Sequence, residues 1–294
     1  MSDAVAILPL PEAPAASEPA AVPAARVRRR PRSDVRIANE PAFVLHSYPY
    51  KETSLIIDAL TRHHGRVALV ARGAKRPRSA LRGILLAFQP LTLGWSGGRP
   101  RAVTHDRSGG DLRTLTKAEW MGGVRPLRGD ALLSGFYLNE LVLKLLARDD
   151  AHEALFDAYL AAVTALAEQR PLAAILRAFE VALLREAGYA LRLARTADGD
   201  AVDSSLRYRY VAEHGAVPVK DIAQREKCAD RAPRAHRASE GQFAGKTLLD
   251  IEAGDYSDPA TLTEAKLLMR HLLQHHLAGQ ALHTRQIMID LQNL

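Results

Sequence analysis

Residues 42–82 read AFVLHSYPYKETSLIIDALTRHHGRVALVARGAKRPRSALR, and their texture decides the fold of the first half of the chain. Ala42 to His46 is one short β-rich run, and Ser54 to Leu60 is a second that ends at the turn Arg62-His63-His64-Gly65. Arg66 to Ala71 carries Val67, Leu69 and Val70 and is stopped by Gly73. Working outward, Leu91 to Trp95 alternates apolar with small or polar residues before Gly97-Gly98, and a fifth run follows at Leu112 to Thr116. Five short strands in about 80 residues suit a small Greek-key barrel of the oligonucleotide-binding (OB) type; a sandwich usually needs seven.

After Gly129 the apolar period becomes helical. Leu132, Leu133, Phe136, Tyr137, Leu141 and Leu145 outline one amphipathic helix. Leu155, Tyr159, Val163 and Leu166 outline a second, and Ile175, Leu176, Phe179, Leu183 and Leu184 a third closed by Gly188. Asp258-Pro259, a cap residue followed by proline at the first helical position, opens another that runs to about Leu277. Between them residues 194–245 are polar and irregular. The expected class is α+β: a barrel over 41–120, then a helical domain over 121–294 with an irregular insertion. Residues 1–40 hold Pro9, Pro11, Pro14, Pro19, Pro23 and Pro31 among many alanines and read as a disordered tail. Its end, Arg26, Arg28, Arg29, Arg30, Arg32 and Arg36, is a basic arm, suited either to touching phosphate or simply to staying solvated.

The chain has 294 residues, long enough for two folded parts, and 47% of them are hydrophobic. Forty Lys and Arg against 33 Asp and Glu leave a net charge of +7, which favours a polyanionic partner over a neutral small molecule. Cys228 is the only cysteine, so neither an internal disulfide nor a cysteine-based zinc site can form, and a reducing cytoplasmic setting fits. No apolar run approaches the roughly 18–20 residues of a membrane span, and the N-terminus lacks the order of a signal peptide. No membrane partner is expected.

Three stretches resemble catalytic signatures. Gly94-Trp95-Ser96-Gly97-Gly98 has the letters of a nucleophile elbow, but that chemistry needs a helix right after the serine, and here Arg99-Pro100 follows. Gly241 to Thr247 is one residue short of a phosphate loop and follows no buried strand. His271 and His275, with His276 beside them, could begin a metal site, yet no glutamate completes a metalloprotease pattern. The chain is therefore expected not to be an enzyme and to carry no metal or other cofactor. A hydrolase using Ser96 or a nucleotide site near Lys246 is the remote alternative.

The signal that survives is electrostatic. From Arg66 to Arg113 the chain carries Arg66, Arg72, Lys75, Arg76, Arg78, Arg82, Arg99, Arg101, Arg107 and Arg113 against only Asp106 and Asp111. This excess of eight exceeds the net charge of the whole chain. Its densest part, Arg72 to Arg82, leaves a strand as a flexible turn, which suits cations that must meet a phosphate backbone. The candidate DNA-binding residues are thus Arg66, Arg72, Lys75, Arg76, Arg78, Arg82, Arg99, Arg101 and Arg113. Aromatic residues are sparse in this window, only Phe88 and Trp95, so phosphate-led binding with little discrimination between single and double strands is expected. A generic RNA-binding barrel is the other open reading.

The chain resembles the RecO family over roughly residues 41–294. Ala42 to Ser54 is similar to the family's first barrel strand and its turn, here Glu52-Thr53-Ser54; Gly65-Arg66-Val67 and Val70 to Lys75 resemble its third strand and basic loop. Tyr137-Leu138-Asn139-Glu140-Leu141, Leu176-Arg177-Ala178-Phe179-Glu180 with Gly188-Tyr189, and Ala281-Leu282-His283-Thr284-Arg285 resemble signatures of its helical domain. The resemblance implies a DNA repair and recombination mediator that binds single- and double-stranded DNA and anneals complementary strands. It would help load recombinase onto strands coated by single-strand-binding protein. It also implies RecR and the acidic C-terminal tail of the single-strand-binding protein as partners, and a nucleoid-associated location in the cytoplasm. Some relatives carry a four-cysteine zinc module where this chain keeps only Cys228. Residues 99–110 and 218–238 look like insertions, and the first, with Arg99, Arg101, His105 and Arg107, is expected to add phosphate contacts. Arg177 is the only charged residue between Pro171 and Phe179 and is the candidate receiver of the acidic tail; the plain alternative is a pair with Glu180 one turn on.

Overall fold

The computed structural model describes residues 36–97, 112–189, 191–219 and 241–292. Strand β1 (Arg36–Tyr50) is long enough to serve two neighbours. Its first half runs antiparallel to β4 (Leu91–Ser96), from Arg36 opposite Ser96 to Ala42 opposite Leu91, and its second half pairs with β2 (Ser54–Thr61). Register shifts between Ile37 and Glu40 and between Val44 and His46 bend it from one partner to the other. With β3 (Gly65–Ala71) and β5 (Arg113–Trp120) the strands close into a barrel of order β1-β2-β3-β5-β4, in which β3 and β5 alone pair in parallel. This is the five-stranded OB barrel expected. The strand begins at Arg36, inside the stretch read as tail, and residues 1–35 lie outside the described residues.

Side chains alternate across the barrel wall. Val44, Ile57, Val67, Leu69, Leu91, Leu93 and Trp95 fill the inside, with Leu115 from β5. Phe43, Leu45 and Leu60 face outward and join the core of the helices that follow. The ring centroid of Phe43 lies 5.0 Å from that of Tyr159 and 5.5 Å from that of Phe156. Asp34–Leu294 accordingly forms one compact unit, and the helices close their core on the barrel wall.

A short helical turn α1 (Leu81–Ile84) precedes β4, and the helices α2 (Gly129–Leu145), α3 (Glu153–Ala167) and α4 (Leu172–Glu186) stand where the apolar period placed them. The polar stretch 194–245 holds more order than its composition suggests. Strands β6 (Arg207–Val211), β7 (Gly215–Pro218) and β8 (Gln242–Ala244) form a sheet of order β7-β6-β8, whose Tyr208, Tyr210 and Phe243 are buried in the helical core. Helix α5 (Gly245–Ala253) follows, then α6 (Pro259–His276), capped as expected by Asp258, whose carboxylate accepts the Ala260 amide at 2.9 Å. Helix α7 (His283–Gln292) completes the described chain. No described helix is long and apolar enough to cross a membrane.

Candidate nucleic-acid interface

The loop from β3, together with the short α1 that ends it, carries the cations. Arg72, Lys75, Arg76, Arg78 and Arg82 are all exposed, and among the described residues no carboxylate pairs with them. The backbone beneath them is not the flexible turn expected. Ala74 is buried in the barrel core, the Lys75 amide donates to the Thr53 carbonyl at 2.9 Å, and the amides of Arg76, Ser79 and Arg82 each donate three residues back. The loop is therefore a row of tight turns pinned to the barrel, with exposed side chains on a hydrogen-bonded base. Thr53 belongs to the β1–β2 turn, which adds the exposed Lys51. On the other side, Arg72 Nη2 donates to Thr114 Oγ1 at 3.4 Å, and Thr114 pairs with Ser96, which pairs with Arg36. Loop, turn and the residues flanking 98–111 thus gather at one end of the barrel. Arg99, Arg101 and the rest of the insertion at 99–110 lie outside the described residues.

Two residues expected to meet DNA stand elsewhere. Arg66 reaches out of β3 toward the helices, where Nη1 donates to the Leu143 carbonyl, while its own carbonyl accepts the Asp149 amide at 3.0 Å. Burial lowers its pKa, and the Asp58 carboxylate opposes that shift. Arg113 is bound to Asp149 at 2.7 Å and only 17% of its side chain is exposed. With Arg148, which grips Asp58 at 2.8 Å, these side chains tie the barrel to the segment after α2. Gly65 permits that approach: a Cβ there would lie 1.8 Å from the Asp150 carbonyl oxygen. In sequence, nothing distinguishes Arg66 and Arg113 from the loop arginines, because the carboxylates they meet lie beyond the window in which charge was counted.

The catalytic look-alikes also resolve. Ser96 ends strand β4 beside the buried Trp95, Gly97 after it is not helical, and residues 98–111, where an elbow would need its helix, lie outside the described residues. At the near-phosphate loop the Gly245 and Lys246 amides already donate to the Leu206 and Ser204 carbonyls. Lys246 Nζ sits between Asp250 (2.6 Å) and Asp258 (2.8 Å), and Thr247 donates to Glu264. Among the described residues no group of three or more His, Cys, Asp or Glu side chains is placed to hold a metal ion. His276 instead stacks on Tyr189 at 3.7 Å, and His275 faces Glu213.

Comparison with known proteins is decisive. The family models Recombination protein O N terminal and Recombination protein O C terminal match residues 35–124 and 127–286. The chain belongs to the RecO family. Relatives named DNA repair protein RecO include one from Burkholderia pseudomallei, 51% identical over 97% of this chain and 94% of that protein. Another, from Paraburkholderia xenovorans, is 51% identical over 94% of this chain and 85% of that protein.

Two of the stretches that resemble family signatures, far apart in sequence, meet in space. Asn139 donates to the Leu45 carbonyl on the barrel at 2.8 Å and accepts the Tyr159 hydroxyl, so α2 is bolted to β1. Its neighbour Glu140 accepts the amides of His283 (2.8 Å) and Thr284 (2.9 Å) and the Thr284 hydroxyl, and so caps α7 from another helix. Lys144 pairs with Glu140 at 2.9 Å and also donates to the Ala281 carbonyl. Burial alone would raise the Glu140 pKa, but the bonds from Thr284, Lys144 and His283 outweigh it and hold the carboxyl at about 2, against 4.5 ordinarily. A depressed carboxylate pKa stabilises the fold above its unfolded value. This contribution is therefore fully present above about pH 4.5 and fades as the pH falls toward 2. Glu140→Gln is expected to cost about 1–2 kcal/mol at neutral pH and to free the α7 amides for hydrogen exchange. Urea midpoints across that pH range should show the gap between wild type and variant closing on acidification; a pH-independent gap would mean that charge has no part in the cap.

Arg177, expected to receive an acidic tail, is buried, and its Nη2 pairs with Glu180, which also accepts the Tyr137 hydroxyl at 2.6 Å. The intrahelical pair therefore exists. In the polar stretch compared above with a zinc module, the described residues offer Tyr208, Tyr210 and Phe243 as a ring core; Cys228 and the insertion at 218–238, apart from its first two residues, lie outside them.

Proposed function

We propose that this chain is a recombination mediator in DNA repair that works without covalent chemistry. It binds single- and double-stranded DNA at the basic end of its barrel, anneals complementary strands, and helps load recombinase onto strands coated by single-strand-binding protein. The observation that carries this reading is the loop of Arg72, Lys75, Arg76, Arg78 and Arg82, exposed, free of carboxylate partners among the described residues, and fixed to the barrel by its backbone. Cations on a fixed base can release counterions from DNA without first being ordered. The helical part, joined to the barrel through Asn139 and the arginine struts, would present surfaces to RecR and to the acidic tail of the single-strand-binding protein, in the cytoplasm at the nucleoid.

The test is to time the annealing of complementary strands precoated with single-strand-binding protein, with and without this chain. Acceleration that disappears at high salt is expected. No acceleration at low salt would remove the mediator reading.

A further inference from the structure

Strand β1 turns rings to water where a barrel strand needs none. Residues 46, 48 and 50 recur on one side of the strand, and they are His46, Tyr48 and Tyr50. Tyr48 is 44% exposed, and its ring lies 4.4 Å from that of His46, inclined at 62°, so one ring buttresses the other. The ammonium of Lys51 sits 5.4 Å from the centroid of Tyr50. None of the three rings belongs to the barrel core, which β1 supplies through Ala42 and Val44. A strand whose only task is to close the barrel would put polar side chains on its wet face. Here it leaves apolar ring area in solvent.

The row is continuous with the cationic loop. Tyr50 is followed by the turn whose Thr53 carbonyl accepts the Lys75 amide. At its other end lies Arg148, 42% exposed and held by Asp58, the residue opposite His46 in the register. Cations bracket the rings at both ends. Same-face positions along a strand recur about every 6.6–6.8 Å, so His46 and Tyr48, whose rings lean together at 4.4 Å, form one unit of the row and Tyr50 continues it.

We infer that His46, Tyr48 and Tyr50 form a stacking platform for the unpaired bases of a strand whose phosphates lie on the basic loop, so that this end of the barrel favours single strands over duplex. The inference rests on the DNA-binding reading above and replaces the expectation of little discrimination. Every base has a π face, so such a platform adds affinity without reading sequence. Bases inside a duplex are already stacked and offer nothing to it.

The experiment measures the affinity of the full chain for an oligothymidine, for an abasic strand of the same length, and for a duplex. Wild type should prefer the oligothymidine to the abasic strand by about tenfold, within the range for stacking of one base. Tyr48→Ala should abolish that preference while leaving abasic and duplex affinities and the salt slope unchanged, and Tyr48→Phe, which keeps the ring, should retain it. Equal wild-type affinity for oligothymidine and abasic strand would overturn the platform and leave the phosphate site standing, as would an equal loss on both strands in Tyr48→Ala. Failure of wild type to bind any of the three would remove the DNA reading and the platform with it.

Discussion

Reversal of Arg72, Lys75, Arg76 and Arg78 to glutamate is expected to abolish DNA binding while the protein stays folded. Four cations become four anions on one loop, so the surface that attracted phosphate repels it. For every phosphate that the loop ceases to neutralise, the dependence of log affinity on log salt should also flatten by about 0.7–0.9 units. The fold should survive because these side chains are exposed and meet no carboxylate among the described residues, whereas the loop is held by the buried Ala74 and by backbone bonds that the substitutions leave in place. Binding titrations across a salt series, with a denaturation curve as control, decide the matter. An unchanged slope with normal affinity would put the site elsewhere.

The second large effect is expected in stability. Arg177→Ala removes the cation that pairs with the fully buried Glu180. Breaking a buried pair by removing one partner costs about 3–5 kcal/mol, because the remaining charge is stranded away from water. Arg177→Met combined with Glu180→Leu should recover most of that loss, since well-packed apolar replacements often match a buried pair. Denaturant midpoints of wild type, single and double variants read both effects. A single variant of wild-type stability that bound an acidic tail peptide more weakly would restore Arg177 as the receiver of that tail.

The strand and helix patterns were legible because they are local: β2 and β3 bury the aliphatic residues their runs advertise, and Asp258-Pro259 starts α6 as its letters say. What escaped depends on partners far away in sequence. Glu40 closes the stretch read as tail, yet it is buried in β1, where it accepts the His63 amide at 2.6 Å. The rings of Tyr208 and Phe243 announce no sheet until the chain returns to place them opposite one another. The cap of α7 comes from a glutamate 143 residues earlier. The charge excess located the site, but a count of charges cannot tell Arg76, which is exposed, from Arg113, which Asp149 neutralises. It also looks past the rings of β1, which lie before the window begins.

The ring core of the small sheet has a chemical consequence. A module built on four thiolates is only as durable as its sulfurs: oxidants convert them to disulfides or sulfenic acids, the metal leaves, and the folding energy it supplied leaves with it. Tyr208, Tyr210 and Phe243 hold the described part of their sheet by burial, and the two tyrosine hydroxyls accept the Asp203 and Arg192 amides, so these three side chains offer no sulfur to peroxide. The ring core of this sheet is therefore expected to keep its packing under the oxidising conditions that damage DNA.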